Sequence, residues 1–553
     1  MQDDVINIAL YLRAQANKNP HTCALMAPIE GTFSFLTRPV YIRKTFAELE
    51  EESNGVAHIL QRKGIKRGNR VLLMVRPGIN LIVIAFALFK IGAVPVIMDP
   101  GMGVKNFLSC IQKTNIDALI GVPLAHRLSR IFFPYFKNVH TRVVVRSGGF
   151  SREIKKRGLF RDFPLAQTKR NELAAILYTS GSTGAPKGVC YEHGMFDSQI
   201  RMIRDFYGIQ PGEVDMPMLP IFALFNPALG MTTVIPKMNP SKPAQVKPEL
   251  IVQSILDNNI TNTFGSPAIW HKITEYCAKN EIKLPSIRRI LMAGAPVSDA
   301  LMERTQDLLP GGVVYSPYGA TEALPVTSIE AVARKLAKRQ GLVGKGTCVG
   351  KALPGMEIRI IRVSDDLIQG LSDDLILPKG EVGEIIVRGP TVTREYYHLA
   401  QETAFAKIKD GQTFWHRMGD IGYLDKNDNL WFCGRRVERV VNGDKTYYTD
   451  CCESIFNQHE HVYRSALIGL GPSEQATPAI VIEPHPQFYP QNREEETAFK
   501  RALLDLAKQN EVTQDIDQLF FYKSFPVDVR HNAKIHRLTL AHHFNKKLKP
   551  INV

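Results

Sequence analysis

Residues 177–188 read LYTSGSTGAPKG. Apolar or β-prone residues, Ala175 to Tyr178, run into a stretch of small residues that ends in one cation, Lys187. Glycine lets the main chain approach a ligand closely, and serine and threonine add hydroxyl donors. Successive exposed N–H groups make an anion nest, and a lysine beside it adds a point charge. The stretch is therefore suited to a phosphate chain rather than to a plain Gly/Ser surface loop. It is not a Walker loop: that pattern needs Gly-Lys followed by Ser or Thr, whereas here Pro186 precedes Lys187 and Gly188 follows it.

Four further stretches carry chemistry-bearing side chains. In YSPYGATEALPV, 315–326, the aromatic Tyr318 precedes a Gly-Ala-Thr turn and Glu322. An aromatic face stacks on a base, and a carboxylate near phosphates makes sense with a divalent cation, for which Mg²⁺ needs few protein carboxylates. In WHRMGDIGYLD, 415–425, Asp420 sits between Gly419 and an apolar strand, where a carboxylate could accept both ribose hydroxyls; in FCGRR, 432–436, Arg435 after Gly434 could bind ribose or phosphate oxygen. In PVDVRHNAKIHR, 526–537, Lys534 stands near the C-terminus, where a domain movement would deliver it. Each stretch alone also reads as a turn or a solvated charge.

Strand-length apolar runs alternate with helical patterns from about residue 40 to 330: VLLMV (71–75), VPVIMD (94–99), DALIGV (117–122), TRVVVR (141–146), AAILYT (174–179) and IRRILMAGA (287–295), with helices expected over 47–63 and 80–91. This alternation predicts parallel α/β layers. Residues 346–434 instead hold strand-like pieces separated by turn signals such as PKGEVGE and DKNDN, a β-rich subdomain. After Gly434 the pattern is mixed α+β, which places a domain boundary at 434–438. The longest apolar run, LIVIAFALF at 81–89, stops at Lys90 and is too short to span a bilayer. The N-terminus begins acidic, without secretory-signal architecture, and eight scattered cysteines with no CxxC pair predict a reducing compartment. A cytoplasmic protein is expected, not an integral membrane protein, with peripheral association left open. The net charge of +15 is spread along the chain, with one basic concentration at 529–549. No zinc-finger, RNA-binding or helix-turn-helix pattern accompanies it, so no nucleic-acid partner is expected.

In this order and spacing the five stretches resemble the adenylate-forming, AMP-binding superfamily of acyl-CoA synthetases, luciferases and peptide-synthetase adenylation domains, over nearly the whole chain. The resemblance implies an α/β fold: a large N-terminal domain, 1–434, with doubly wound mixed sheets and the 346–434 subdomain, and a small mobile α+β domain, 435–553, carrying Lys534. It implies ATP and Mg²⁺. Thr179, Ser180, Gly181, Ser182, Thr183, Gly184 and Lys187 would hold the phosphates. Gly294, Ala295 and Pro296 would line the adenine, with Tyr318 stacking on it, and Gly319 would belong to the same ATP site. Thr321 would touch the α-phosphate, Glu322 would bind Mg²⁺, Asp420 and Arg435 would hold the ribose, and Lys534 would bridge carboxylate and α-phosphate. PIFALFNPALG (220–230), YGATEALPV (318–326) and DVRHNAKI (528–535) further resemble the β-lactone synthetases of bacterial long-chain olefin biosynthesis. That resemblance implies a small-molecule acyl substrate, a 2-alkyl-3-hydroxy fatty acid, and companion enzymes of the olefin pathway as partners.

Phe222, Leu224, Phe225 and Leu324 are candidates for an acyl pocket, with core packing as their other reading. His193 and His531 are candidates for a base in lactone closure or for structural hydrogen bonding. Two features depart from the superfamily pattern. Val437 stands where a hinge Asp or Lys is usual, and VVNGDKTYYTDCCE replaces the glycine- and lysine-rich segment that guides a thiol. The alternative to lactone closure is a long-chain acyl-CoA or acyl-carrier-protein ligase working through the same acyl-AMP.

Overall fold

Each strand-length apolar run expected between residues 70 and 180 is a strand in the computed structural model, which describes residues 5–29, 39–146, 148–159, 161–179, 185–339, 344–527 and 535–548. The chain divides into two compact units. One comprises Met1–Val326, Leu353–Met356 and Gly389–Ala404; the other comprises Thr327–Ala352, Glu357–Arg388 and Phe405–Val553.

The first unit holds two sheets. One has the strand order Thr141–Val144, Ala118–Gly121, Arg70–Met74, Val94–Met98, Leu173–Thr179, Lys187–Glu192; the first five run parallel and the last pairs antiparallel. Parallel strands covered on both faces read as unbroken apolar runs, which is why these segments were legible. The other sheet is built around the parallel strands Val313–Ala320, Arg289–Met292, Asn262–Gly265, Val214–Pro217, Thr232–Val234 and Cys23–Pro28, with Tyr41–Thr45 antiparallel at its edge. Ligands of such sheets bind beyond the carboxyl ends of the strands. The stretches Gly294–Pro296 and Tyr318–Glu322 follow or end strands at that side.

Helix Phe46–Arg62 starts with a capping box: Thr45 Oγ1 accepts from the Glu48 N–H, and Glu48 Oε2 accepts from the Thr45 N–H at 2.8 Å. It packs against helix Ile79–Ile91, whose residues from Ile82 onward are all buried. The apolar run does not end in water at Lys90. That ammonium is fully buried and donates to Glu50 Oε2 at 2.7 Å, Ser53 Oγ at 2.7 Å and Asn54 Oδ1 at 2.6 Å. Burial lowers its pKa from 10.5 to about 8 despite Glu50. Between about pH 8 and 10.5 the unfolded chain holds a proton that the folded chain has released, so this group's contribution to stability rises with pH across that window. Lys90→Met is expected to lower stability by about 1–3 kcal/mol, because Glu50 Oε2 loses its buried donor while Arg13 still reaches Glu50 Oε1 at 3.1 Å. Urea unfolding should show that loss largely recovered by adding Glu50→Gln, and should show the rise above pH 8 absent from the variant.

The second unit has a sheet of order Glu357–Ile361, Gly383–Arg388, Thr413–Leu424, Leu430–Arg435, Thr347–Ala352, all antiparallel, with Lys407–Asp410 also on Thr413–Leu424. Its C-terminal part adds the hairpin Val440–Asn442/Lys445–Tyr447, helix Thr449–Phe456, the sheet Val462–Leu470, Thr477–Pro484, Gln518–Phe521, and helix Arg493–Lys508. These are the mixed elements expected after Gly434. No helix among the described residues is long and apolar enough to cross a membrane.

Candidate functional site

Strand Leu173–Thr179 pairs with Lys187–Glu192 so that Thr179 lies opposite Lys187. Ser180, Gly181, Ser182, Thr183 and Gly184 lie outside the described residues, as does the Thr179 side chain. The strands thus bring Lys187 to the end of the sheet where the small-residue stretch begins. Gly188 is required for this pairing, because a Cβ there would fall 2.9 Å from the Tyr178 ring.

Lys187 is half-buried, and its Nζ lies 4.8 Å from the centroid of the Tyr396 ring. The Tyr396 hydroxyl donates to Glu322 Oε1 at 2.8 Å. One buried tyrosine therefore holds the cation by its face and the carboxylate by its tip. Burial and the Glu322 charge both push the Tyr396 hydroxyl well above the usual tyrosine range, so it stays a donor at any working pH. Lys187 and Glu322 are thus both placed by the same side chain.

The turn carrying Thr321 and Glu322 is pinned at its carbonyls. Tyr191 Oη donates to Thr321 O at 2.6 Å, the Thr393 N–H to Glu322 O at 2.8 Å, and Gln199 Nε2 to Leu324 O at 2.8 Å. Segment 392–397 makes this possible by lying between the two motifs. Val392 bridges to Ala323, Tyr396 bridges to Val189, and the Tyr397 N–H donates to Gly188 O at 2.7 Å. Gly319 leaves room for the turn, since a Cβ there would sit 2.5 Å from Ala323 O. Tyr318, Gly319, Thr321 and Leu324 are all half-buried. Gly294 adopts φ +95° just beyond strand Arg289–Met292; Gly294 and Pro296 are exposed and Ala295 is half-buried.

Two of the candidate acyl residues, Phe222 and Phe225, belong to an aromatic series. Phe222 stacks on Phe264 with centroids 3.8 Å apart and faces Phe225 at 6.1 Å; Phe225 meets Phe196 at 5.7 Å, and Phe196 meets Tyr191 at 5.2 Å. The series thus reaches the tyrosine that pins Thr321. Leu224 is buried within the 3₁₀ turn Pro220–Leu224. His193 points elsewhere. It is 1% exposed, its Nδ1 accepts the Ile8 N–H at 3.4 Å, and burial lowers its pKa to about 4. That is a structural histidine, not a base at a reacting centre. His531 lies outside the described residues.

In the second unit Asp420 and Arg435 are opposite each other on adjacent antiparallel strands, with Arg435 Nη1 2.9 Å from Asp420 Oδ1. The pair that the sequence suggested for one ribose is thus a single cross-strand unit. Val437 is 43% exposed in the 3₁₀ turn Arg436–Glu438. Its neighbours are tied down: Arg436 Nη1 reaches Asp365 at 3.0 Å, and Glu438 pairs with Arg537 at 3.0 Å. Arg537 also donates twice to Glu453, at 2.7 Å each. Lys534 lies outside the described residues; on either side of 528–534, Val527 and Ile535 form an antiparallel bridge.

Tyr396, Tyr191 and Gln199 were missed by sequence reasoning. Only the doubled tyrosine in TREYYHLA offered a signal, and nothing local says that it reaches residues 187 and 322. Among the described residues no group of three or more His, Cys, Asp or Glu is arranged to hold a metal ion. A cation at Glu322 would take most of its ligands from phosphate oxygens and water, an arrangement that suits Mg²⁺.

The sequence profile of a family described as AMP-binding enzyme matches residues 12–397. Two bacterial proteins named olefin beta-lactone synthetase are similar to the whole chain. The one from Xanthomonas campestris pv. campestris is 38% identical over 547 residues, and the one from Stenotrophomonas maltophilia is 38% identical over 546; both matches cover 97% of each chain. A 2-succinylbenzoate–CoA ligase of Bacillus cytotoxicus is a more distant relative, 26% identical over 77% of this chain and 80% of its own. The crystal structure of ATP-bound MatB from Rhodopseudomonas palustris superposes with a TM-score of 0.79 over 98% of this chain and 100% of that one, at 19% identity, a likeness of fold.

Proposed function

Since the chain belongs to the AMP-binding enzyme family, we propose that it activates a 2-alkyl-3-hydroxy fatty acid with ATP and then closes it to a β-lactone. In the first step a carboxylate oxygen attacks the α-phosphorus and pyrophosphate leaves. In the second the 3-hydroxyl oxygen attacks the acyl carbon, AMP leaves, and the hydroxyl proton departs as the ring forms. The lactone step is carried by the 38% identity, along 97% of the chain, to two proteins named olefin beta-lactone synthetase. The first step is tested by acid-dependent exchange of labelled pyrophosphate into ATP, and absence of exchange with every long-chain acid would contradict it.

Both reactants of the first step are anions, so repulsion is the first obstacle. We assign Lys187, the amides of 179–184, Glu322 through bound Mg²⁺, and Lys534 to offsetting it; preorganised charge is the main tool of such transfers. Mg²⁺ held there would neutralise phosphate charge. Thr321 is assigned to the α-phosphate, Tyr318 with Gly294–Pro296 to the adenine, and Asp420 with Arg435 to the ribose. The domain of residues 435–553, hinged at 434–438, is assigned to delivering Lys534. In the second step the hydroxyl is already tethered to the acyl carbon. Holding such atoms in line supplies roughly 7–11 kcal/mol in favourable cases. Phe222, Leu224, Phe225 and Leu324 are assigned to folding the acyl chain into that geometry.

Tyr396 is a positioning residue in this scheme. Tyr396→Phe keeps the ring under Lys187 and removes the hydrogen bond to Glu322. The expected result is a roughly tenfold higher Mg²⁺ requirement, because a hydrogen bond to a charged group has been lost. ATP affinity measured without Mg²⁺ should stay near wild type. Tyr396→Leu, which removes both contacts, should lose both. Titrating Mg²⁺ in the pyrophosphate assay checks this, and an unchanged requirement in Tyr396→Phe would contradict it.

A further inference from the structure

Helix Pro123–Ile131, the 3₁₀ turn Phe133–Phe136 and strand Thr141–Val144 lie together at one edge of the six-stranded sheet, where that strand is outermost. His126 Nε2 ties the helix to the strand at Val143 O, 3.0 Å away. The helix buries Ala125, His126 and Ser129. Its opposite face turns outward Leu124 and Ile131, 61% and 71% exposed, and Phe133 just beyond is 59% exposed. Tyr135 and Val144 are exposed as well. Of the twenty large hydrophobics exposed among the described residues, five fall within 124–144. Scattered apolar groups on a surface are ordinary, but a cluster marks an interaction site.

The same stretch is strongly basic. Residues 123–146 contain five Lys/Arg and no Asp or Glu. Arg127, Arg130, Lys137 and Arg146 are exposed, and Arg127 sits between Leu124 and Ile131 on the helix face. We propose that this edge docks on an anionic lipid surface. Apolar groups interleaved with cations are the pattern by which a surface inserts among headgroups while its charges meet lipid phosphates. A second copy of the chain is a poor occupant. A two-fold contact would set these cations against each other with no carboxylate in the stretch to neutralise them. The use of such docking rests on the proposed function: a long-chain acid partitions into bilayers, and an enzyme held there meets it at high local concentration.

The test is flotation of the full chain with vesicles of a zwitterionic lipid, and of the same lipid containing phosphatidylglycerol, without ATP or acid. Binding is expected to the anionic vesicles only and to weaken with salt. Ile131→Glu with Phe133→Glu should weaken it roughly tenfold or more, from the lost apolar burial. Leu256→Glu, at an exposed apolar residue outside the patch, should leave it unchanged. Absence of wild-type binding, equal binding by the double variant, or capture by an acidic protein without any vesicle binding would each overturn the proposal. Turnover of a short, water-soluble acid by the same double variant should match wild type, which separates failure of docking from failure of acyl activation.

Discussion

Glu322→Gln is expected to cut pyrophosphate release roughly 10²–10³-fold, the scale seen when one preorganised charge contact is removed from a transition state. The substitution isolates charge from shape. A glutamine carbonyl oxygen still accepts the Tyr396 hydroxyl, which donates to Glu322 Oε1 at 2.8 Å. The Thr321 and Glu322 carbonyls stay pinned by Tyr191 and Thr393. The turn should therefore hold its place while losing the carboxylate assigned to a divalent cation. Raising Mg²⁺ should restore part of the rate. A variant with wild-type Mg²⁺ dependence would show that the carboxylate serves only to anchor Tyr396.

Lys534→Ala is expected to lose a comparable factor in adenylation, roughly 10²–10³, while ATP binding changes little. A group delivered only for the transition state contributes to rate and not to ground-state affinity. The neighbouring anchor makes the variant informative. Arg537 is held by Glu438 and Glu453, and Ile535 bridges to Val527, so removing a side chain at 534 leaves the attachments beside it intact. Equilibrium binding of ATP and single-turnover formation of acyl-AMP measure the two quantities separately. An equal fall in both would contradict delivery.

The layered α/β unit was legible because its inner strands, buried on both faces, are written as unbroken apolar runs, and because each motif is a short local pattern. Lys187, Glu322, Asp420 and Arg435 stand out in such patterns, and the pairing of Asp420 with Arg435 follows from register. What was not legible depends on partners far along the chain. Tyr396 acts on residues 187 and 322 only because segment 392–397 bridges Val189 and Ala323. Lys90 reads as the charged end of an apolar run, yet three side chains of helix Phe46–Arg62 receive it in the interior. His193 looks like a candidate base by type alone; burial and the Ile8 amide make it a fixed acceptor. In each case residue type was readable and environment was not.

The chemistry of the acceptor decides between ring closure and thioester formation. The segment that departs from the thiol-guiding pattern implied by the resemblance forms the hairpin Val440–Asn442/Lys445–Tyr447, and Lys445 is paired with Asp515. An internal hydroxyl competes with an external thiol at a large effective concentration once the pocket folds the chain into a near-attack geometry, and cleavage of the acyl phosphate anhydride has to offset the strain of the four-membered ring. The most direct measurement is the mass of the product formed from a 2-alkyl-3-hydroxy acid, ATP and Mg²⁺ without CoA, beside the same acid lacking the hydroxyl. The hydroxy acid should give a β-lactone, AMP and pyrophosphate, and the deoxy acid should stall as acyl-AMP even when CoA is supplied. Rapid conversion of the deoxy acid to an acyl-CoA, with no lactone from the hydroxy acid, would contradict the account.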